Sequence, residues 1–181
     1  MEANEAQELQ EHAEHGAHES AMRPVAFTMS VLAVLVAVSS VLGHRAHTEA
    51  ILDQNRATDQ WNEYQAKKIR AYNTQLTSEM LSVVQLADKT GADKIAGDYK
   101  THRDKWDEEL KEEKEKAETL TSKVEQAEAR GDRFDFSETL LEIGLVVTSV
   151  TLLTKRRTYW YAGLAAGAAG IIAAVSALIL K

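Results

Sequence analysis

The sequence predicts an all-α integral membrane protein: three transmembrane helices, with a long antiparallel, coiled-coil-like helical hairpin between the first and second. Three observations predict it. No charged side chain occurs from Pro24 to Gly43 or from Thr158 to Leu180, runs of twenty and twenty-three positions, and about twenty apolar residues suffice to cross a hydrocarbon core. Residues 44–135 instead hold sixteen Lys/Arg and twenty Asp/Glu, and their apolar residues recur at steps of three and four, the period of a helix. The single proline, Pro24, sits at the mouth of the first apolar run, where a helix tolerates it best.

Composition excludes several classes. A net charge of -7 argues against a nucleic-acid binder, which needs a basic stripe. Without cysteine there is no disulfide, thiolate metal site or thiol nucleophile. No Ser/His/Asp elbow, phosphate-binding glycine loop or HExxH motif occurs, so no enzyme and no cofactor is expected.

Residues 1–22 read as an acidic, histidine-containing tail. Its six glutamates precede the first basic residue, Arg23, the reverse of a cleavable leader's basic start, and the following run is longer than a leader's apolar core. A retained anchor is expected. His12, His15 and His18 suggest a metal or pH-sensing site, but they sweep about 120° of a helix, too wide for one ion without bending. A solvated amphipathic tail is the preferred reading, and no metal is expected.

The first span covers 24–43. Nothing in Gly43-His44-Arg45-Ala46-His47 ends the helix, so it should continue into the hairpin (44–135), with a stripe of Ile51, Thr58, Trp61, Gln65, Ile69, Tyr72, Leu76, Met80, Val83 and Ala87. Thr90-Gly91-Ala92-Asp93 has turn chemistry, Gly91 for a left-handed C′ residue and Asp93 for the next N-cap. A second stripe follows: Ile95, Tyr99, His102, Trp106, Leu110, Ala117, Leu120, Val124 and Ala127. Folding at Gly91 sets Leu76 against Trp106 and Trp61 near Leu120 and Val124, which makes Trp61, Leu76 and Trp106 the expected hairpin core. Glu112–Glu115 leave the second stripe polar opposite Ile69 and Tyr72. Two helices bury little surface alone, so copies of the chain or an unknown protein partner should cover them.

Arg130-Gly131-Asp132 is expected to close the second hairpin helix, and Asp135-Phe136-Ser137-Glu138 to open the second span (136–154) as a capping box. Lys155-Arg156-Arg157 ends that span. Tyr159-Trp160-Tyr161 forms an interfacial aromatic belt at the start of the third span (158–180).

Glu142 is the sharpest functional candidate, because an ionisable group within a span is costly and usually has a partner or a task. With Glu138 one turn away, the leading expectation is an ion pair to His44 or Arg45 that locks the first span to the second. Snorkelling to the interface and proton or ion handling are the alternatives. Gly163, Gly167 and Gly170 make a small-residue face on the third span, for self-association or packing within the chain. Lys155, Arg156 and Arg157 can bind anionic lipid headgroups. The plainer reading is topological, a short basic loop held in the cytoplasm. That places the amino terminus in the cytoplasm and the hairpin outside it.

The segments Leu35-Val36-Ala37-Val38 through Gly43-His44-Arg45-Ala46-His47-Thr48-Glu49, Thr58-Asp59-Gln60-Trp61 with Tyr64-Gln65-Ala66-Lys67-Lys68-Ile69-Arg70, and Leu140-Leu141-Glu142-Ile143 with Leu153-Thr154-Lys155-Arg156-Arg157 resemble the bacterial membrane proteins catalogued as domain of unknown function 4337. The resemblance spans nearly the whole chain and implies a bacterial inner-membrane location, without assigning any residue a role. The functional expectation is a non-enzymatic, self-associating helical-hairpin scaffold or interaction module, in contact with membrane lipids. The alternatives are a small transporter or channel subunit using Glu142, and an envelope sensor of pH or metal using the histidine tail.

Overall fold

The computed structural model describes residues 22–83 and 89–179, and all regular structure among them is helical. Helix α1 runs from Arg23 to Val83, α2 from Lys89 to Thr154 and α3 from Arg157 to Ile179. Pro24 lies in the first turn of α1, where no intrahelical N–H is missed. All three helices contain a stretch long and apolar enough, by length and composition, to cross a membrane.

Helix α2 corrects three sequence expectations. Thr90–Asp93 is helical rather than a turn, so α1 and α2 are separated by residues 84–88, outside the described residues. Arg130-Gly131-Asp132 does not end a helix, and Asp135–Glu138 does not begin one, because α2 passes through both without interruption. The features read as stop and start signals serve packing instead. Gly131 leaves room for the His47 imidazole, whose ring atoms would lie 2.7–3.0 Å from a Cβ at that position. Ser137 is fully buried and hydrogen-bonds between helices. The histidine-rich tail also lies outside the described residues.

The link from α2 to α3 is short. Lys155 adopts a left-handed conformation (φ 54°) and its N–H donates to the Thr151 carbonyl at 2.8 Å. This is the single-bond αL cap that satisfies one of the last carbonyls of a helix.

The chain divides into two units, one of residues 1–50 and 125–181 and the other of residues 51–124. In the first, α1 and α2 run antiparallel and α3 packs on both. Its apolar core is Ala26, Met29, Leu32, Val36, Leu141 and Leu145. The α1 positions that face inward, Val25, Met29, Leu32, Val36, Ser39, Gly43, Ala46 and Ala50, follow steps of four and three. Along α2 the corresponding row is Ser137, Leu141, Gly144, Thr148 and Thr151. Both rows are single helical seams of mainly small or aliphatic residues.

In the second unit the buried row of α1 is Asp53, Ala57 and Ala71, and that of α2 is Glu113, Ala117 and Val124. Trp61 lies beside this row and donates its indole N–H to the Thr121 hydroxyl at 3.2 Å. Trp106 is half-buried and packs against the His102 ring at 5.7 Å. Leu76 does not join them. It is 56% exposed, and Ile51, Ile69, Tyr72, Met80 and Val83 are at least as exposed. The α1 stripe read as the hairpin core therefore points away from α2, and a row centred on alanines takes its place. Small side chains let two backbones approach closely, whereas bulky residues would hold them apart.

Candidate functional site

Two clusters collect the polar chemistry, one in each unit. In the first unit, Ser39 of α1 and Ser137 of α2 are both at most 2% exposed. Ser39 donates to the Ser137 hydroxyl at 3.0 Å, and Ser137 donates to the Gly170 carbonyl of α3 at 2.8 Å. Three helices are thus joined by a two-hydroxyl relay among otherwise apolar side chains. Near the start of α3, the Trp160 indole N–H reaches the Thr28 hydroxyl of α1 at 3.1 Å.

The glycines of α3 are spent within the chain. Gly163, Gly167 and Gly170 are all buried. A Cβ on Gly163 would meet the Thr148 hydroxyl, and would lie 2.7 Å from the Gly144 carbonyl oxygen. One on Gly167 would meet only the tip of Leu32 at 2.6 Å, and one on Gly170 would meet Leu141 and the Ser137 carbonyl. Gly144 of α2 is the counterpart: its own Cβ would lie 2.9 Å from the Gly163 carbonyl. Gly144 and Thr148 escaped the sequence reading, although their spacing to Ser137 and Leu141 is the same small-residue rhythm seen in α3.

The expected lock between Glu142 and His44 or Arg45 does not form. In this unit His47 lies within hydrogen-bond distance of Asp135, at 2.9 Å, and Glu49 forms an ion pair with Arg130, and both contacts join α1 to α2. His44 and Arg45 are exposed, whereas Glu142 and Glu138 are half-buried. Register explains the mismatch. Gly43 lies against Phe134 and Asp135, and His47 against Gly131, so the α2 residue level with His44 is near Phe134. Glu142 lies eight residues further along α2, about 12 Å along the axis, and is level with Val36. His47 was the neighbour to choose, and its signal was Gly131, a small residue opposite a ring. Lys155, Arg156 and Arg157 are exposed at the α2–α3 link.

In the second unit, Glu113 sits in the α1–α2 seam at 8% exposure. It accepts from Lys67 Nζ at 2.8 Å and from the Gln60 amide, with Lys116 at 3.5 Å. The hydrogen bond from Lys67 holds the Glu113 carboxyl below the usual carboxylate range. The same bond raises Lys67 above the usual lysine value, despite partial desolvation that acts the other way. The polar break anticipated in α2 is thus neutralised across the seam, opposite Gln60 and Lys67 rather than Ile69 and Tyr72. No group of three or more His, Asp or Glu side chains positioned to hold a metal occurs among the described residues.

No curated protein and no solved structure matches the chain. A family model does, over residues 21–180, and takes in all three helices. The chain belongs to the family described as domain of unknown function DUF4337.

Proposed function

We propose that this protein is a non-enzymatic scaffold of the bacterial cytoplasmic membrane, anchored by three spans. On this reading residues 51–124 form an antiparallel helical hairpin that binds protein partners. Two kinds of exposed apolar surface support it. In the first unit, large apolar side chains point outward from the charge-free stretches, as Phe27, Val31, Val34, Val38 and Val41 do along α1, where lipid would cover them. In the second, the observation that carries the reading is the outward stripe of Ile69, Tyr72, Leu76, Met80 and Val83, on a segment too charged to lie in lipid. Contiguous exposed apolar surface of this kind marks interaction sites. The basic link at Lys155–Arg157 supports a cytoplasmic amino terminus and a hairpin outside the cytoplasm.

The test uses the full chain, which has no cysteine of its own, expressed in a bacterial host. The protein should resist alkaline extraction from membranes, and a thiol placed by Leu76→Cys should be shielded from maleimide relative to one placed by Arg70→Cys. Release by alkali would remove the anchor. Equal labelling of the two thiols would remove the interaction face.

A further inference from the structure

The apolar stripe of α1 has a property that a general binding face does not need. Positions 51, 55, 58, 62, 65, 69, 72, 76, 80 and 83 follow one another at steps of three and four. At about 100° per residue they fall within a band roughly 100° wide. The α1 positions packed on α2, Asp53, Ala57 and Ala71, lie about 110–150° from the middle of this band. From residue 51 to 83, α1 carries eight charged residues: Asp53, Arg56, Asp59, Glu63, Lys67, Lys68, Arg70 and Glu79. None of them falls on the band. Its occupants are Ile, Asn, Thr, Asn, Gln, Ile, Tyr, Leu, Met and Val, and all ten are exposed.

We infer that this band is the seam of a parallel homodimer, in which α1 of one chain lies along α1 of a second copy. The inference rests on the interaction reading above and names its partner. A copy anchored in the same bilayer with the same topology presents the same helix in the same direction, so each residue meets its own counterpart. Such a pairing forbids charge on the seam, since every charge would face its like. It also requires each polar group to be donor and acceptor at once. The amides of Asn55, Asn62 and Gln65 and the hydroxyls of Thr58 and Tyr72 all meet that condition. A different partner would impose neither constraint. Asparagines that alternate with larger residues along a coiled-coil seam fix register and a two-stranded state, the part Asn55 and Asn62 take beside Ile51 and Ile69. The band extends over more than four heptads, enough for a sustained coiled coil. Anchoring in two dimensions raises the effective concentration of one copy for the next.

Disulfide formation between single-cysteine copies of the full-length protein in native membranes tests this. Leu76→Cys should cross-link to its own counterpart at least tenfold more than Arg70→Cys, which lies off the band. Adding Ile69→Lys to Leu76→Cys should abolish the cross-link while leaving helical content unchanged. If Leu76→Cys cross-links no better than Arg70→Cys yet is shielded from maleimide, a different protein covers the band. The dimer is then overturned and the interaction reading stands. If it neither cross-links nor is shielded, both are overturned.

Discussion

At Gly163 a single hydrogen atom decides how closely α3 approaches α2. A methyl group there would press on the backbone carbonyl of Gly144 as well as on Thr148, whereas at Gly167 it would meet only the terminal carbon of Leu32. A leucine tip can rotate aside and a helix backbone cannot, so the two glycines of one motif should differ in tolerance. Gly163→Ala is expected to destabilise the purified protein by about 1–3 kcal/mol, the range for overpacking a filled core, and Gly167→Ala by clearly less. Thermal unfolding of the two variants in one detergent checks the order, and equal losses would refute it. Glu142 poses the opposite case. It is half-buried, and among the described residues it has no ion-pair partner, since His47 and Arg130 engage Asp135 and Glu49. If the apolar stretch of α2 spans a membrane as proposed, replacing an ionisable group there by an amide removes a potential charge that would be costly. Glu142→Gln should therefore leave stability equal or slightly higher and ion flux in proteoliposomes unchanged. A loss of flux relative to the unsubstituted protein would favour a transporter over a scaffold.

Among the elements, the α1–α2 seam of the second unit owes part of its fit to a titratable contact. Glu113 is held below the ordinary carboxylate range by Lys67. A carboxylate with a lowered folded value contributes stability that is present above its unfolded value, ordinarily 4.5, and is lost as pH falls through the lowered one. Lys67, raised from 10.5, contributes below that value and loses its share as pH rises through the raised one. Acidification below about pH 4.5 should loosen this seam in the unsubstituted protein, and Glu113→Gln should flatten that acid limb while lowering stability at neutral pH. Circular dichroism of the two proteins across pH 3–8 measures it, and identical acid profiles would contradict the assignment. The same seam shows what the sequence could disclose. Helical periodicity made the all-helical class legible, and the two charge-free runs marked the apolar stretches of α1 and α3, but Arg130–Glu138 reads as a break in α2 where the helix is continuous. The stripe of large residues on α1 was also legible, but its partner was not. Reading for the bulkiest apolar face assumed that α2 would cover it, whereas close packing drew on Ala57, Ala71 and Ala117. Alanine is ambiguous in sequence because it suits seam and surface alike. Glu113 was hidden for a related reason: a glutamate in a charged run reads as solvated until the lysine that neutralises it is located on another helix.

For the whole molecule, anchoring by three spans, as proposed, would set residues 51–124 on one side of a bilayer, and competing basic charge bears on which side that is. Lys155, Arg156 and Arg157 form one short link, the kind of loop whose positive charge sets orientation most strongly. Against them stand Arg45, Arg56, Lys123, Arg130 and Arg133 near the other ends of the spans. Those residues belong to or flank a segment of about ninety residues, and basic residues of long segments weigh less in setting orientation than those of a short loop. The link should therefore prevail and stay in the cytoplasm, leaving residues 51–124 outside it. Thiols introduced by Ser82→Cys and Ser122→Cys, both at exposed positions, should be labelled by an impermeant maleimide in intact cells once the outer membrane is opened. Changing Lys155, Arg156 and Arg157 together to glutamine should weaken that bias and yield a population with mixed labelling. If the two thiols are protected until the cytoplasmic membrane is broken, the opposing basic residues have set the orientation. The proposed partner-binding face would then lie in the cytoplasm.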